Sequence, residues 1–330
     1  MATNPRLPLE LERDIFETVA IRSPGTIPSL LRVAHRVLQW IEPLLYTTLH
    51  LGTVPPRADL LRVLHTRRAF LQASVRHIFF DNFAGWEPLS TSTFFNTALD
   101  ILQTCTGATS IGTTNSFEGP RVLTALGGLS NLRRLAVDLC ALFKKTTPEG
   151  NHWAPIDPTH PAFARLTHLA LHDRMNTQRR RERVLAAVPH FPALTHLRIA
   201  RVGLSAADVQ GLLEQCPRLQ LLILTSDEDT TAKIVRRGYP TDVRLVWGRV
   251  GDVFDEFWDD WMAGCEGRED LWERAETVIA TRRATPVPIK EVRWVWPPHI
   301  RNDPDQDELN DWMETEEDEE TEEHDSDNDL

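Results

Sequence analysis

The segment LTHLRIARVGL, residues 194–204, places aliphatic residues at its first, fourth, sixth, ninth and eleventh positions. The segment LRRLAVDLCAL, residues 132–142, has the same spacing, with a cysteine at the ninth position. Shorter and weaker copies complete a set of repeats that begin at Val75, Ala108, Leu132, Leu166, Leu194, Leu219 and Val243. The intervals between these starts are 33, 24, 34, 28, 25 and 24 residues. Self-similarity at such a period indicates stacked units, each of which contributes one strand and one helix.

These segments resemble the core motif of leucine-rich repeats, whose ninth position is usually Asn or Cys. The leucines of each unit point into the stack and the residues between them point outward, so only stacking of neighbouring units completes the apolar core. The resemblance implies an α/β fold with an irregular leucine-rich-repeat solenoid over residues 52–247. Residues 143–162 are rich in proline, and we expect them to form a loop that lengthens one interval. The alternative is a doubly wound α/β domain, which the short strands and the lack of a glycine-rich turn do not favour.

The N-terminal stretch LPLELERDIFETVAIRSPGTIPSLLRVAHRVLQWIEPLLYTTLHL, residues 7–51, contains two apolar helical patterns separated by prolines and a glycine. In the first pattern Leu11, Ile15 and Val19 are four residues apart, which predicts that they share one side of a helix. Two or three short helices are too small to bury a core of their own. We therefore expect residues 1–51 to pack against the rest of the chain or against a partner.

This stretch resembles an F-box, a family that opens with Leu-Pro-x-Glu-Leu and an Ile-Phe pair. The chain departs from the family in the middle, where Val33-Ala34-His35-Arg36 stands in place of the common Val-Cys-Arg. The resemblance implies that these helices dock on a Skp-type adaptor and through it on a cullin. The residues that would contact the adaptor are Leu7, Pro8, Glu10, Leu11, Ile15, Phe16, Leu31, Val33 and Trp40. The alternative is a helical unit that only caps the repeat array.

Residues 248–300 are rich in tryptophan and predict two amphipathic helices, one around Phe257 and Trp261 and the other around Leu271 and Trp272. We expect this pair to form a helical C-terminal cap, because a solenoid needs its last apolar face covered. The segment PIKEVRWVWP, residues 288–297, is expected to add one strand. An F-box followed by an irregular array and an aromatic cap resembles the layout of the large F-box-like families of mushroom-forming fungi.

The net charge of −12 is unevenly distributed along the chain. Residues 303–330 hold 16 acidic residues and no Lys or Arg, which leaves 32 acidic against 36 basic residues elsewhere, or about +4. We expect residues 301–330 to form a disordered acidic tail. The chain has no apolar run long enough for a membrane span and no secretory signal, and its four cysteines are far apart. We therefore expect a cytoplasmic or nuclear protein with reduced thiols and no membrane association.

The sequence contains no motif for nucleotide binding, nucleophilic catalysis or zinc-dependent proteolysis. His168 and His172 are four residues apart, but they flank a predicted strand, where that spacing lacks the geometry of a helical metal motif. The basic run Arg179–Arg183 precedes a predicted helix and lacks interleaved aromatic residues, so it does not favour nucleic-acid binding. We expect a protein-binding chain that has no cofactor and no metal and is not an enzyme.

The F-box resemblance implies a substrate receptor of an SCF-type cullin–RING ubiquitin ligase, whose repeats bind a substrate protein. The repeat period places the candidate substrate contacts at outward strand positions, namely Thr167, His168, Thr195, His196, Arg198 and Gln220. The alternative is a leucine-rich-repeat scaffold without a ligase role. Leucine-rich repeats combined with an acidic tail are similar to the acidic leucine-rich nuclear phosphoproteins. This similarity implies that the acidic tail would bind basic partners such as histones.

Overall fold

The computed structural model describes residues 7–51, 58–80, 93–113, 119–147, 150–173, 175, 177–200, 204–226, 239–249, 254–284 and 294–295. The predicted acidic tail, residues 301–330, lies outside the described residues. No helix among the described residues has both the length and the apolar character needed to cross a membrane.

The N-terminal residues form a small helical unit that consists of α1 (Leu9–Arg22), α2 (Ile27–Leu30) and α3 (His35–Ile41). Pro8 precedes α1 and its carbonyl accepts a hydrogen bond from the Glu12 amide at 3.0 Å. Its fixed φ and missing N–H suit the start of a helix. The buried side chains of the unit are Ala20, Ile27, Val37 and Ile41. Such a small core explains why the unit continues directly into the sheet.

Parallel strands from the whole chain form one sheet, and their order in space follows their order in sequence. The strands are β1 (Thr48–Leu51), β2 (His77–Phe80), β3 (Ser110–Thr113), β4 (Arg134–Val137), β7 (His168–Leu171), β8 (His196–Ile199), β9 (Leu221–Ser226), β10 (Leu245–Arg249) and β11 (Trp294–Val295). A separate antiparallel pair consists of β5 (Lys144–Thr147) and β6 (Gly150–Trp153). A doubly wound sheet reverses its strand order at a switch point. The order of the described strands has no reversal and is compatible with a repeat array.

The strands of this sheet lie where the repeat pattern predicts them. Strands β2, β3, β4, β7, β8, β9 and β10 each begin two residues after a predicted repeat start. Backbone hydrogen bonds at equivalent positions fix the register of neighbouring strands. The Arg133 carbonyl accepts from the Thr167 and His168 amides, and the Thr167 carbonyl accepts from the Thr195 and His196 amides. Equivalent residues of successive repeats therefore form straight rows across the sheet.

Helices cover one face of the sheet, which we call the repeat-helix face. They are α4 (Ala58–Thr66), α5 (Arg68–Ser74), α6 (Thr93–Thr104), α7 (Pro120–Gly127), α8 (Leu139–Leu142), α9 (Gln178–Ala187) and α10 (Ala206–Gln215). The motif leucines Leu135, Leu169, Leu197 and Leu222 are buried in the core between these helices and the sheet. A capping box starts α10: the Ser205 Oγ accepts from the Asp208 amide at 3.2 Å, and the Ser205 amide donates to the Asp208 carboxylate at 2.8 Å.

The proline-rich segment 143–162 contains the hairpin of β5 and β6, so the prediction of a plain loop is wrong for this part of it. Its prolines Pro155, Pro158 and Pro161 follow the hairpin and leave both strands free to donate their ladder hydrogen bonds. The proline-rich composition of the segment gives no indication of these two short strands. Trp153 is in the second of them, and its ring lies beneath the Arg180 guanidinium at 4.9 Å.

Two C-terminal helices, α11 (Phe254–Cys265) and α12 (Leu271–Ala284), lie against the opposite face of the sheet. We call this opposite side the second face; its residues include Phe79, Ala136, Ala170, Arg198, Leu221 and Ile223. The sequence predicts that these helices close the end of the array, whereas they lie across strand surface from β1 to β10. The physical reason is that the second face carries large apolar side chains that also need burial. The strand expected within residues 288–297 is present as β11, which pairs with β10.

Candidate functional site

One side of α1 exposes three aliphatic residues, Leu11, Ile15 and Val19, which we call the apolar stripe. The exposed fractions of their surfaces are 50%, 51% and 39%. The other large aliphatic residues that are strongly exposed among the described residues lie in the same unit and are Leu7, Leu9, Ile21, Val33 and Leu45. Contiguous exposed apolar surface commonly marks a protein interaction site. Its concentration in one small helical unit makes this unit a candidate protein-interaction site.

The structure divides the predicted adaptor contacts into two groups. Those exposed to solvent are Leu7, Pro8, Glu10, Leu11, Ile15 and Val33. Those half-buried against the core of the N-terminal unit are Phe16, Leu31 and Trp40. The second group therefore supports the helices from inside, while the first group forms the accessible surface.

The segment that departs from the usual F-box pattern holds α3 against α1. Arg36 donates to both carboxylate oxygens of Glu12, at 2.5 and 3.0 Å, and Val37 is fully buried. Neither residue covers Leu11 or Ile15, which remain half exposed. The altered residues are thus compatible with a free apolar stripe.

A bidentate ion pair joins the N-terminal unit to the first repeat. Arg67 donates to the two carboxylate oxygens of Glu42 at 2.5 and 2.9 Å, and the guanidinium lowers the pKa of that carboxyl. Arg67 also lies 4.0 Å from the ring centroid of Phe70, which packs edge-on against Tyr46 at 5.3 Å. Because β1 then pairs with β2 in register, the helical unit is continuous with the sheet.

The predicted substrate contacts form two rows with different environments. Thr167, Thr195 and Gln220 lie one residue before their strands, and they are partly or fully exposed along the rim of the sheet. His168, His196 and Arg198 lie within β7 and β8 on the second face. His196 and Arg198 are buried beneath α11 and α12, with 6% and 5% of their surfaces exposed. His168 is half-buried, so the prediction that this row is open to a substrate is wrong for His196 and Arg198.

Aromatic side chains of α11 fill the second face near the N-terminal strands. The ring of Phe79 lies 5.9, 4.8 and 5.1 Å from the rings of Phe257, Trp258 and Trp261. His50 of β1 stacks on Trp258 at 3.9 Å. These contacts bury large apolar areas and account for the position of α11.

Two strand sequences carry a signal for this cover. The strands HIFF, residues 77–80, and LLIL, residues 221–224, are almost continuously apolar. Strands that are buried on both faces have such unbroken runs, whereas half-exposed strands alternate. Leu221, which the period places outward, is 0% exposed.

Charged side chains are buried between the second face and the C-terminal helices. Asp260 of α11 accepts from Arg274 of α12 at 2.6 Å, and Arg134 of β4 lies 3.0 Å from Asp270. The fully buried Arg198 lies 5.0 Å from the Phe257 ring, and its Nε has no hydrogen-bond partner. Burial raises the pKa of Asp260 and lowers that of Arg198.

A cavity of about 30 Å³ lies among these charges and is lined by Ser110, Arg134, Arg198, Asp260 and Asp270 among others. This volume accommodates water but no organic substrate. The charges therefore form a small polar cluster between the sheet and the two C-terminal helices.

Two histidines from neighbouring strands stack next to this cluster. The rings of His168 and His196 are 4.2 Å apart and nearly parallel, and Trp272 packs edge-on against both. His196 Nε2 lies 2.8 Å from Oε1 of Glu276 on α12. Burial lowers the pKa of both histidines, that of His168 to about 3.

A second group of polar residues surrounds Cys140, the ninth-position cysteine of its repeat. The buried carboxylate of Asp173 accepts from the Leu139 amide at 2.6 Å and from the Cys140 amide at 2.8 Å. Burial raises the pKa of Asp173 to about 7. Both carboxylate oxygens are therefore already used to start α8, and the group acts as a structural cap. The thiols of Cys105, Cys140, Cys216 and Cys265 are all free, as predicted.

The basic run at the start of α9 is partly neutralised by the chain itself. Arg180 lies 3.7 Å from Asp138, and Arg181 lies 3.5 Å from Asp208. Thr177 caps the helix by accepting from the Arg180 amide at 3.4 Å. The run therefore lies within the first turns of α9 rather than before the helix.

Residues 150–241 match the family model described as "FBD-associated F-box protein At5g56370, LRR repeats". The matched segment is less than a third of the chain and includes β7, β8 and β9 together with α9 and α10. No curated protein gives a significant match to the chain. The match supports a protein of the F-box and leucine-rich-repeat type, and it agrees with the parallel strands and helices of this segment.

Proposed function

We propose that this chain is the substrate receptor of an SCF-type cullin–RING ubiquitin ligase and binds a Skp-type adaptor through its N-terminal unit. The observation that carries the proposal is the exposed apolar stripe of α1, which contains Leu11 and Ile15 of the F-box-like motif. The match to the repeats of an F-box protein supports the same reading. The chain would perform no bond chemistry, would need no cofactor and would act in the cytoplasm or nucleus. It would raise the effective concentration of a substrate protein near the ligase.

The proposed substrate surface is narrower than the sequence pattern implied, because α11 and α12 occupy the second face. Of the predicted contacts, the proposal retains the rim positions, namely the half-buried Thr167 and Thr195 and the exposed Gln220. The relationship to the F-box-like families of mushroom-forming fungi also remains a proposal, which rests on the layout of the chain.

The experiment is a binding titration of the purified full chain with a purified Skp-type adaptor. The test variant is Leu11→Ala with Ile15→Ala, and the control is Leu9→Ala. Leu9 is 59% exposed and lies about 200° around the helix from Leu11. If each truncation removes about 1–2 kcal/mol of binding energy, the double variant binds at least about 10-fold more weakly. These side chains are exposed, so we expect the circular dichroism of both variants to be unchanged.

Absence of wild-type binding, or equal weakening by Leu9→Ala, would overturn the assignment of the apolar stripe. The scaffold alternative makes a different prediction, namely salt-sensitive histone binding that is lost when residues 303–330 are deleted. Under the ligase proposal this deletion leaves adaptor binding unchanged.

A further inference from the structure

We propose that the acidic segment of this chain, residues 303–330, docks on a basic surface formed by α9 and the hairpin of β5 and β6. The residues of this surface, which we call the basic patch, are Lys144, Arg179, Arg180, Arg181 and Arg183. The acidic segment holds 16 Asp and Glu residues and no Lys or Arg, so its charge is complementary to the patch. This inference is independent of the proposed function in ubiquitin ligation.

The ring of Trp153 joins the two elements of the basic patch. The guanidinium carbons of Arg180 and Arg183 lie 4.9 and 5.9 Å from its centroid. Lys144 Nζ, on the neighbouring strand of the hairpin, also lies 5.9 Å from it. Cation–π contacts of this kind hold positive groups around one aromatic side chain. The cations of α9 and of the hairpin therefore form one surface, with Arg179 exposed to solvent beside it.

The basic patch keeps a positive charge after its own ion pairs are counted. Three carboxylates offset part of this charge, namely those of Asp138, Asp208 and Glu182. The five cations exceed them by two. The fully buried Asp173 beside Asp138 has its pKa raised to about 7 by burial, so it removes at most one more charge. The N-terminus of α9 adds the positive end of a helix dipole at the same place.

The chain leaves the sheet at the edge that carries the basic patch. Register pairing through the intervening strands places Trp294 of β11 in the same row across the sheet as Val137 of β4. The residues that follow, Val295 and Asp138, therefore lie at the same edge of this parallel sheet. Asp138 is also the residue that contacts Arg180 of the patch, at 3.7 Å.

The distance between these two points is short for the length of chain available. β11 and β4 are five strands apart, which is about 24 Å along the sheet at about 4.8 Å per strand. Residues 296–302 can span up to about 23 Å, and the acidic segment itself up to about 90 Å more. A tethered segment within reach has an effective concentration on the order of millimolar. Docking within the chain therefore needs only a weak attraction per contact.

The salt dependence of the radius of gyration distinguishes a docked acidic segment from a free one. A free segment of like charges repels itself, so it is longest at low salt and contracts as the salt concentration rises. A docked segment is held against the folded part at low salt and is released when ions screen the attraction. The radius of gyration therefore rises with salt in the docked case and falls with salt in the free case.

The test is small-angle X-ray scattering of the full chain in about 50 mM and about 500 mM NaCl. We expect the radius of gyration to rise with salt in wild type and to fall in the double variant Arg179→Glu with Arg181→Glu. The control is Arg133→Glu with Arg165→Glu, which makes the same charge change at exposed positions. These two residues precede β4 and β7 and lie at the opposite edge of the sheet, so the control should behave as wild type does.

Carbodiimide cross-linking at low salt locates the docked segment, because it joins carboxylates to lysines that touch them. The lysines of the chain are Lys144, Lys145, Lys233 and Lys290. We expect cross-links between the acidic segment and Lys144 within one molecule of wild type. They should be lost at about 500 mM NaCl and in the double variant of Arg179 and Arg181.

A radius of gyration that falls with salt in wild type overturns the proposal, as does a rise that the double variant of the patch retains. Cross-links that occur only between two molecules overturn it as well. Arg179 is exposed, so Arg179→Glu alone, checked by circular dichroism, remains a valid test even if the double variant does not fold. It should reduce the expansion with salt.

Discussion

Arg274 of α12 donates a hydrogen bond from Nη2 to Oδ1 of Asp260 on α11 at 2.6 Å, and both side chains are nearly buried. The pair joins the two helices that cover the second face of the sheet. Its burial gives it more influence on stability than the surface ion pairs of the chain have.

We expect Arg274→Met to lower the free energy of unfolding by about 3–5 kcal/mol, because it leaves the Asp260 carboxylate buried beside fewer charges. Urea denaturation followed by tryptophan fluorescence measures this change. The control is Arg62→Met, which breaks the exposed pair with Asp59 and should change stability by no more than about 1 kcal/mol. Similar effects of the two substitutions would contradict the buried position of Asp260 and Arg274.

Gly112 of β3 is predicted to tolerate no side chain, because Phe79 and Trp261 pack directly over it. An added Cβ would lie 2.5 Å from Phe79 Cδ2 and 3.1 Å from Trp261 Nε1. We expect Gly112→Ala to destabilise the chain by about 1–3 kcal/mol through overpacking. Gly25→Ala is the matched control, since nothing lies within 4 Å of its added Cβ. A neutral Gly112→Ala in thermal unfolding would mean that Phe79 and Trp261 do not pack over this strand in solution.

His77 should make folding sensitive to acid. Burial, together with the charges of Arg134 and Arg76, lowers its pKa to about 4, and the edge of Trp261 faces the ring. Between about pH 4 and 6.5 the unfolded chain binds this proton and the folded chain does not. The contribution of His77 to the free energy of unfolding is therefore fully present above pH 6.5. It is lost as the pH falls towards 4, by an amount on the order of 2–3 kcal/mol.

The measurement for His77 is the free energy of unfolding of wild type minus that of His77→Gln between pH 4 and 7. This difference should rise with pH across the window. The same comparison with His65→Gln, at an exposed position, serves as the control. A difference that does not change with pH would show that His77 is solvated in the folded chain.

The capping box of α10 should contribute to the free energy of unfolding by stabilising the start of this helix. Ser205→Ala removes the acceptor of the Asp208 amide, and we expect a loss of about 1 kcal/mol in the free energy of unfolding. Ser205→Thr retains a hydroxyl acceptor and should retain most of the stability. A loss of the same size in both variants would indicate that the hydroxyl does not cap the helix.

The sequence alone determined the rows of the sheet and the small helical unit in front of it. Leucines such as Leu135 and Leu197 recur at fixed offsets, and only one face of a strand can receive them, so their spacing specifies strand position and direction. Local chemistry also accounts for the helix starts at Pro8 and Ser205, since capping depends on neighbouring residues only.

What covers the second face was decided by tertiary structure. Phe79, His50 and Arg198 are far in sequence from Trp258, Phe257 and Asp260, and no local pattern links them. Apolar burial is non-directional, so the aromatic residues of α11 predicted that a helix packs somewhere but not on which surface. The structure placed them across the strands, where they bury the outward row that the repeat period had assigned to a substrate. The apolar stripe of α1 stays exposed in the structure, because the small core of the N-terminal unit cannot cover Leu11 and Ile15.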